Sequence, residues 1–240
     1  MNPQHNMPRL INWLGYFAIG LFLILPLSVL SIRAGQWQQG LPLYAVACFG
    51  SALLIVLAIV LLLRRRFAPW RKNILLRALF ALPGAALLLA LTSGGNHPMI
   101  HDISTDTANP PTFTAALQQR GEDSNALTIN QDVIQQQQEA YPDLKTLVSS
   151  LSTKEAYNRA LQVADEMGWE VYQQDSNAGV IEAVDTTRIM GFKDDIAIRV
   201  RRGPQGTLVD LRSVSRVGEG DLGANANRIR AFCDAFQQEG

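Results

Sequence analysis

Apolar residues come first in three long runs and then only in short periodic stretches, and the change falls between Thr92 and His97. The runs at 10–32, 41–63 and 74–92 each approach the roughly 20 residues that cross a bilayer, so each predicts a transmembrane helix. Pro26 and Pro83 lie inside the first and third, where membrane helices tolerate proline better than soluble ones do. From 96 to about 143 the pattern loses its period, with Pro110-Pro111, Gly121 and a glutamine run at 135–138. This predicts an extended arm, with the glutamines on a solvated helix or loop.

Regular periods return after Asp143. Ser152 and Glu155 have capping-box spacing and Gly168 supplies a left-handed stop, which predicts a helix over 153–167 with Ala156, Tyr157, Ala160, Leu161, Ala164 and Met167 on its buried stripe. Four strand-like segments follow, at 169–173, 180–188, 195–202 and 207–217. Their connections are too short for crossover helices, so the sheet is antiparallel. A last helix, 222–237, is capped by Asp221 and buries Ala226, Ile229, Phe232, Cys233 and Phe236. The expected architecture is α+β: a membrane domain at 1–95, an arm at 96–143, and at 144–240 a two-layer domain with two helices on one face of a four-stranded antiparallel sheet.

Charge sharpens the division. All 21 acidic residues follow Asn96, while residues 1–95 hold eight of the 21 basic ones, which leaves 13 basic against 21 acidic in 96–240. So acidic a domain argues against nucleic acid, which needs a basic face. Five positive charges at 64–72 against one in the loop at 33–40 predict a cytoplasmic N-terminus and a C-terminal domain outside the cytoplasm. Arg77 lies near enough to a helix end to reach the headgroups. Asn12, Ser28 and Ser51 are polar positions within the spans that could dock on another protein. Cys48 and Cys233 fall in different halves, so no intrachain disulfide is expected and Cys233 reads as a buried thiol.

Candidate chemistry is sparse. His97 and His101 are four apart, but Pro98 and the β-branched residues after it predict an extended chain. A metal centre needs three or four converging ligands, so neither a metal nor a cofactor is expected. A hydrolase would have to join His101 and Asp102 to a serine such as Ser213, without a nucleophile-elbow motif. The simpler expectation is that Asp102, Ser104 and Asp106 bond backbone amides and tie the arm down. Asp194-Asp195 reads as turn and strand-start caps, because neighbours on an extended chain point to opposite faces.

Alternation in the last two strands sets Arg199, Arg201, Asp210, Arg212 and Arg216 on the sheet face away from the helices, and Arg228 lies on the last helix. If that face is open, its arginines either make exposed pairs, each worth no more than about 1 kcal/mol, or hold a small anionic ligand.

The segments Ile100 to Asp106, Ala140 to Asp143, Gly168-Trp169, Phe192 to Val200 and Val209 to Phe232 resemble a bacterial family catalogued as domain of unknown function 1499. The resemblance implies an envelope or membrane-associated protein and no established reaction. The expected function is a multi-pass inner-membrane protein that displays a domain for a ligand or an envelope partner, with membrane lipid around its spans. A hydrolytic or metal-dependent enzyme using His101 and Asp102 is the alternative.

Overall fold

The stretch without carboxylates folds as helices that can bury no charge cheaply. In the computed structural model, which describes residues 7–95 and 97–238, these are α1 (Arg9–Arg33), α2 (Trp37–Leu63) and a composite third run. The third run comprises a 3-10 turn (Arg65–Trp70), α3 (Arg71–Ala78), a second 3-10 turn (Leu79–Ala81) and α4 (Leu82–Ser93). All three runs are long and apolar enough to cross a membrane, which marks a membrane protein. Pro83 sits in the first turn of α4, where its missing N–H costs nothing.

Small residues let the helices approach closely. A Cβ on Gly84 would fall 2.4 Å from Ser51 Oγ, and one on Gly40 would fall 2.5 Å from Ile32. Ser28 and Ser51 are buried within this unit, and Arg77 donates to Asn12 Oδ1 at 3.3 Å. The expectation that Asn12, Ser28 and Ser51 dock on another protein is therefore corrected for both serines, and Asn12 already has an internal partner.

The chain divides into Met1–Gly95 and Asn96–Gly240. Positions 1–6, 96 and 239–240, which close the expected domain ranges, lie outside the described residues. The second unit is built on an antiparallel sheet of six strands, two more than the sequence pattern predicts. They are β1 (Asp102–Ser104), β2 (Leu147–Ser149), β3 (Glu170–Asp175), β4 (Val180–Thr186), β5 (Lys193–Gly203) and β6 (Gly206–Ser215). The order is β1-β6-β5-β4-β3, with β2 also on β6. The two extra strands have three residues each, too few to display a period of two, and each pairs with one end of β6.

The helices are α5 (Ala116–Gln119), α6 (Gln131–Ala140), α7 (Thr153–Glu166) and α8 (Ala224–Gln237). Both halves of the Ser152–Glu155 capping box are formed. The N-cap of α8 is Gly223, with φ of 81°, and not Asp221. Asp221 reaches in from two residues earlier, accepting from the N–H groups of Gly223 and Asn225.

α7 and α8 pack over Ile181, Ile196, Ile198, Val209 and Leu211, and Trp169 stacks on Phe232 at 5.6 Å. The opposite sheet face is covered as well. Phe113 and Ala116 from the arm close over Ala197 and Val214. The second unit is thus layered on both sides of the sheet, and the face expected to be open is covered by the arm.

Phe232→Ala should lower stability by about 3–5 kcal/mol, as expected for deleting a buried aromatic ring. Leu117→Ala, at an exposed position, should stay within about 0.5 kcal/mol. Urea unfolding followed by tryptophan emission measures both.

Candidate functional site

The arm face of the sheet carries charge at alternate positions of β5 and β6, and the arm supplies the counter-charges. Arg212 on β6 is only 2 % exposed. Its Nε and Nη2 donate to the two carboxylate oxygens of Asp102 at 2.9 and 2.6 Å, a bidentate pair. The remaining donors reach the carbonyls of Pro111 and Leu127, and the guanidinium lies 5.3 Å from the Phe113 ring centre. Asp106 accepts from Arg199 Nη2 at 3.0 Å and Arg201 Nη2 at 3.3 Å, and Asp210 shares both arginines. Asp195 binds Arg216 through both oxygens, at 3.0 and 2.7 Å, and also pairs with Arg120 of the arm. Burial lowers the Arg120 pKa, opposed by the Asp195 carboxylate that favours its charge.

The proposed anion surface is corrected here. Arg199, Arg212 and Arg216 are largely closed off by the arm and each pairs with a carboxylate, and Arg201, the most exposed of the four, joins the same network. The arm is tied down as expected but by different partners. Asp102 and Asp106 bind guanidinium groups, and the backbone donor found is Asn109 N–H on Asp106.

Arg228, on the helix side, is also buried. It donates to Asp185, Asp194, Ser213 Oγ and Asn225 Oδ1 at 2.6–3.1 Å. Asp194 and Asp195 do point to opposite faces, but they are ion-pair anchors and not turn caps.

The hydrolase trio is not assembled. Asp102 serves Arg212 on the arm face, whereas Ser213 Oγ donates to Asn225 Oδ1 at 2.6 Å among groups of α8. His101 Nδ1 lies 3.1 Å from the Glu219 carbonyl oxygen. Among the described residues no three His, Cys, Asp or Glu side chains gather to hold a metal ion.

A groove of about 450 Å³ opens between α8 and the segment leading into β2. Leu144 and Leu147 contribute apolar surface, and Lys145, Arg230, Asp143 and Asp234 contribute charge. Arg230 is bidentate to Asp143 at 2.7 and 2.9 Å and rests 5.3 Å over the Tyr141 ring. Hydrogen bonding to Arg230 holds the Asp143 carboxyl below the usual range. Cys233 faces this groove half-buried, a correction to the buried thiol expected, and burial pushes its pKa up to about 11.

Several residues of these arrangements escape the sequence reading. Glu182 on β4 is fully buried and accepts from Thr114 N–H and Oγ, Ala115 N–H and Ala116 N–H, which seats the start of α5. The signal was present, since a lone glutamate interrupts the apolar run Val180 to Val184. Gln137, expected in solvent, is buried and grips both backbone groups of Ser104, at 2.9 and 2.6 Å. It thereby covers the outer edge of β1. Asn225, Asp185 and the groove itself had no signal, because each depends on contacts remote in sequence.

A family model described as "Protein of unknown function (DUF1499)" matches residues 102–236. No curated protein matches the chain.

Asp102→Asn should destabilise the second unit by about 3–5 kcal/mol, because the buried Arg212 charge loses its counter-ion, and Arg212→Gln should do comparable harm. Asp102→Leu combined with Arg212→Met should recover part of that loss in a thermal melt. Alkylation of Cys233 by iodoacetamide should be slow at pH 8 and accelerate as pH rises toward 11, the value to which burial pushes the thiol. Mass spectrometry of the modified peptide measures it.

Proposed function

Because the chain belongs to the family described as protein of unknown function DUF1499, a description that assigns no reaction, we propose its function from geometry: a membrane-anchored binding protein whose ligand or envelope partner enters the groove between α8 and β2. One observation carries this reading. The arginines and aspartates best suited to chemistry are consumed in holding layers together, while the groove remains open with apolar and charged groups side by side. Its volume of about 450 Å³ lies within the roughly 300–1,000 Å³ of small-molecule sites. Two basic and two acidic side chains on its walls favour an amphipathic ligand of little net charge over a strong anion. The positive loop at 64–72 supports a bacterial inner-membrane location with the binding domain on the periplasmic or extracellular side.

The full chain, extracted from cells in mild detergent, should carry a bound small molecule or partner in native mass spectrometry. Asp234→Trp, which fills the groove from an exposed position on α8, should remove that mass without lowering the melting temperature severely. Loss of the adduct in Arg201→Gln but not in Asp234→Trp would sink the groove assignment. A reporter active only outside the cytoplasm should be active when fused after Gly240, and activity only after fusion at Pro69 reverses the orientation.

A further inference from the structure

Six large apolar side chains of the second unit are exposed among the described residues, and three of them, Met99, Ile189 and Leu222, lie at the same end of the sheet. The register places them there. Ile189 sits in the turn joining β4 to β5 just beyond the Thr186–Lys193 pair, and Asp194 pairs with Ser215 at the last position of β6. Asp102 pairs with Val214, so the residues before β1 emerge at the same end, as does the loop that follows β6. That loop is fastened to the entering chain. His101 Nδ1 is 3.1 Å from Glu219 O, and a Cβ on Gly220 would lie 3.1 Å from Met99 Sδ.

Exposure alone would mean little, but Leu222 is also held in an unfavourable backbone conformation. Its φ is 54°, the one positive φ outside glycine among the described residues. A leucine there costs free energy that glycine or asparagine would not, and such strain persists where the surroundings or a function require it. Inside the fold the side chain gains little in return, since it remains 61 % exposed. Met99 and Ile189 are 66 % and 68 % exposed. Met99 follows Ser93, the last residue of α4, by six positions, a chain length of at most about 20 Å. Met99 thus follows closely in the chain on a segment able to cross a bilayer.

We propose that Met99, Ile189 and Leu222 form a lipid-contacting rim that inserts into the interfacial region of the bilayer in which the chain is anchored. Charge does not drive the contact, because Arg188 and Lys193 flank Ile189 whereas Glu219 and Asp221 flank Leu222. Apolar burial at the acyl boundary does, so a zwitterionic bilayer suffices. The inference rests on the membrane spans and not on the groove, so an empty groove leaves it untouched.

The test uses the full chain in phosphatidylcholine nanodiscs, with Cys48→Ser and Cys233→Ser and a single cysteine introduced by Ile189→Cys, Leu222→Cys or Val148→Cys. Val148 is 54 % exposed at the opposite end of the sheet, where β2 pairs with the first residues of β6, and serves as the control. An environment-sensitive dye on each cysteine should be quenched several-fold more by a shallow acyl-chain nitroxide at 189 and 222 than at 148. Equal quenching at all three, or quenching that appears only with phosphatidylglycerol, overturns the proposal. A second measurement needs no substitution: peroxide should convert Met99 to its sulfoxide several-fold more slowly in nanodiscs than in amphipol, and equal rates overturn it too.

Discussion

Burying the Arg212 guanidinium removes from water a charge that no pH in the physiological range can neutralise, so the fold around it must supply compensation atom by atom. Asp102 takes two of its donors, two arm carbonyls take others, and Phe113 covers the plane. None of these partners belongs to the sheet's long strands. The arm must close in one register for Arg212 to be satisfied, and once closed it excludes water from the face beneath. The same constraint repeats at Asp106 with Arg199 and at Asp195 with Arg120. The apolar part of this layer is small, chiefly Phe113, Ala116, Ala197 and Val214. Charge complementarity therefore specifies where the arm lies, and apolar contact adds to its stability.

This arrangement bears on function by subtraction. A guanidinium whose donors are taken up by a buried carboxylate can give them to a ligand only by breaking that pair, at the cost of leaving a charge uncompensated. Arg212 and Arg216 are removed in this way from the surface available for recognition, and so is Arg228 on α8. The available surface comprises the groove beside α8, where the Arg230–Asp143 pair is exposed and can be rearranged, and the apolar end of the sheet.

The parts legible in the sequence are those written in local periods. Apolar length marks the three helical runs, a period near 3.6 marks α7 and α8, and a period of two assigns the faces of β5 and β6, with Asp194 and Asp195 on opposite sides. Periodicity tells which side chains share a face; it does not tell what covers that face. Alternation sets Arg199, Arg212 and Arg216 on one face, but an aperiodic arm gives no sign that it folds back over them. β1 and β2 leave no such mark because three residues hold barely one alternation, and their pairing with β6 is decided by residues far away in sequence. Gln137 shows the same limit. Its composition favours solvent, and only the bare edge of β1 gives it a reason to be buried.

The dipeptide Asp194-Asp195 joins the two layers. Its first carboxylate binds Arg228 of α8 and its second binds Arg120 of the arm together with Arg216 of β6. Adjacent residues on a strand have no independent freedom to shift, since displacing one along the strand carries the other with it. A displacement of β5 at this point would therefore strain an ion pair on each side of the sheet at once. Arg228 lies one residue before Ile229 and two before Arg230, both of which line the groove. The position of that groove wall is thus fixed by a carboxylate whose neighbour fixes the arm. An apolar pair at the same two positions could fill the space on both faces but would leave the helix free to slide, because apolar contact is not directional. Placing a carboxylate on each face sets α8 and the arm in one common register.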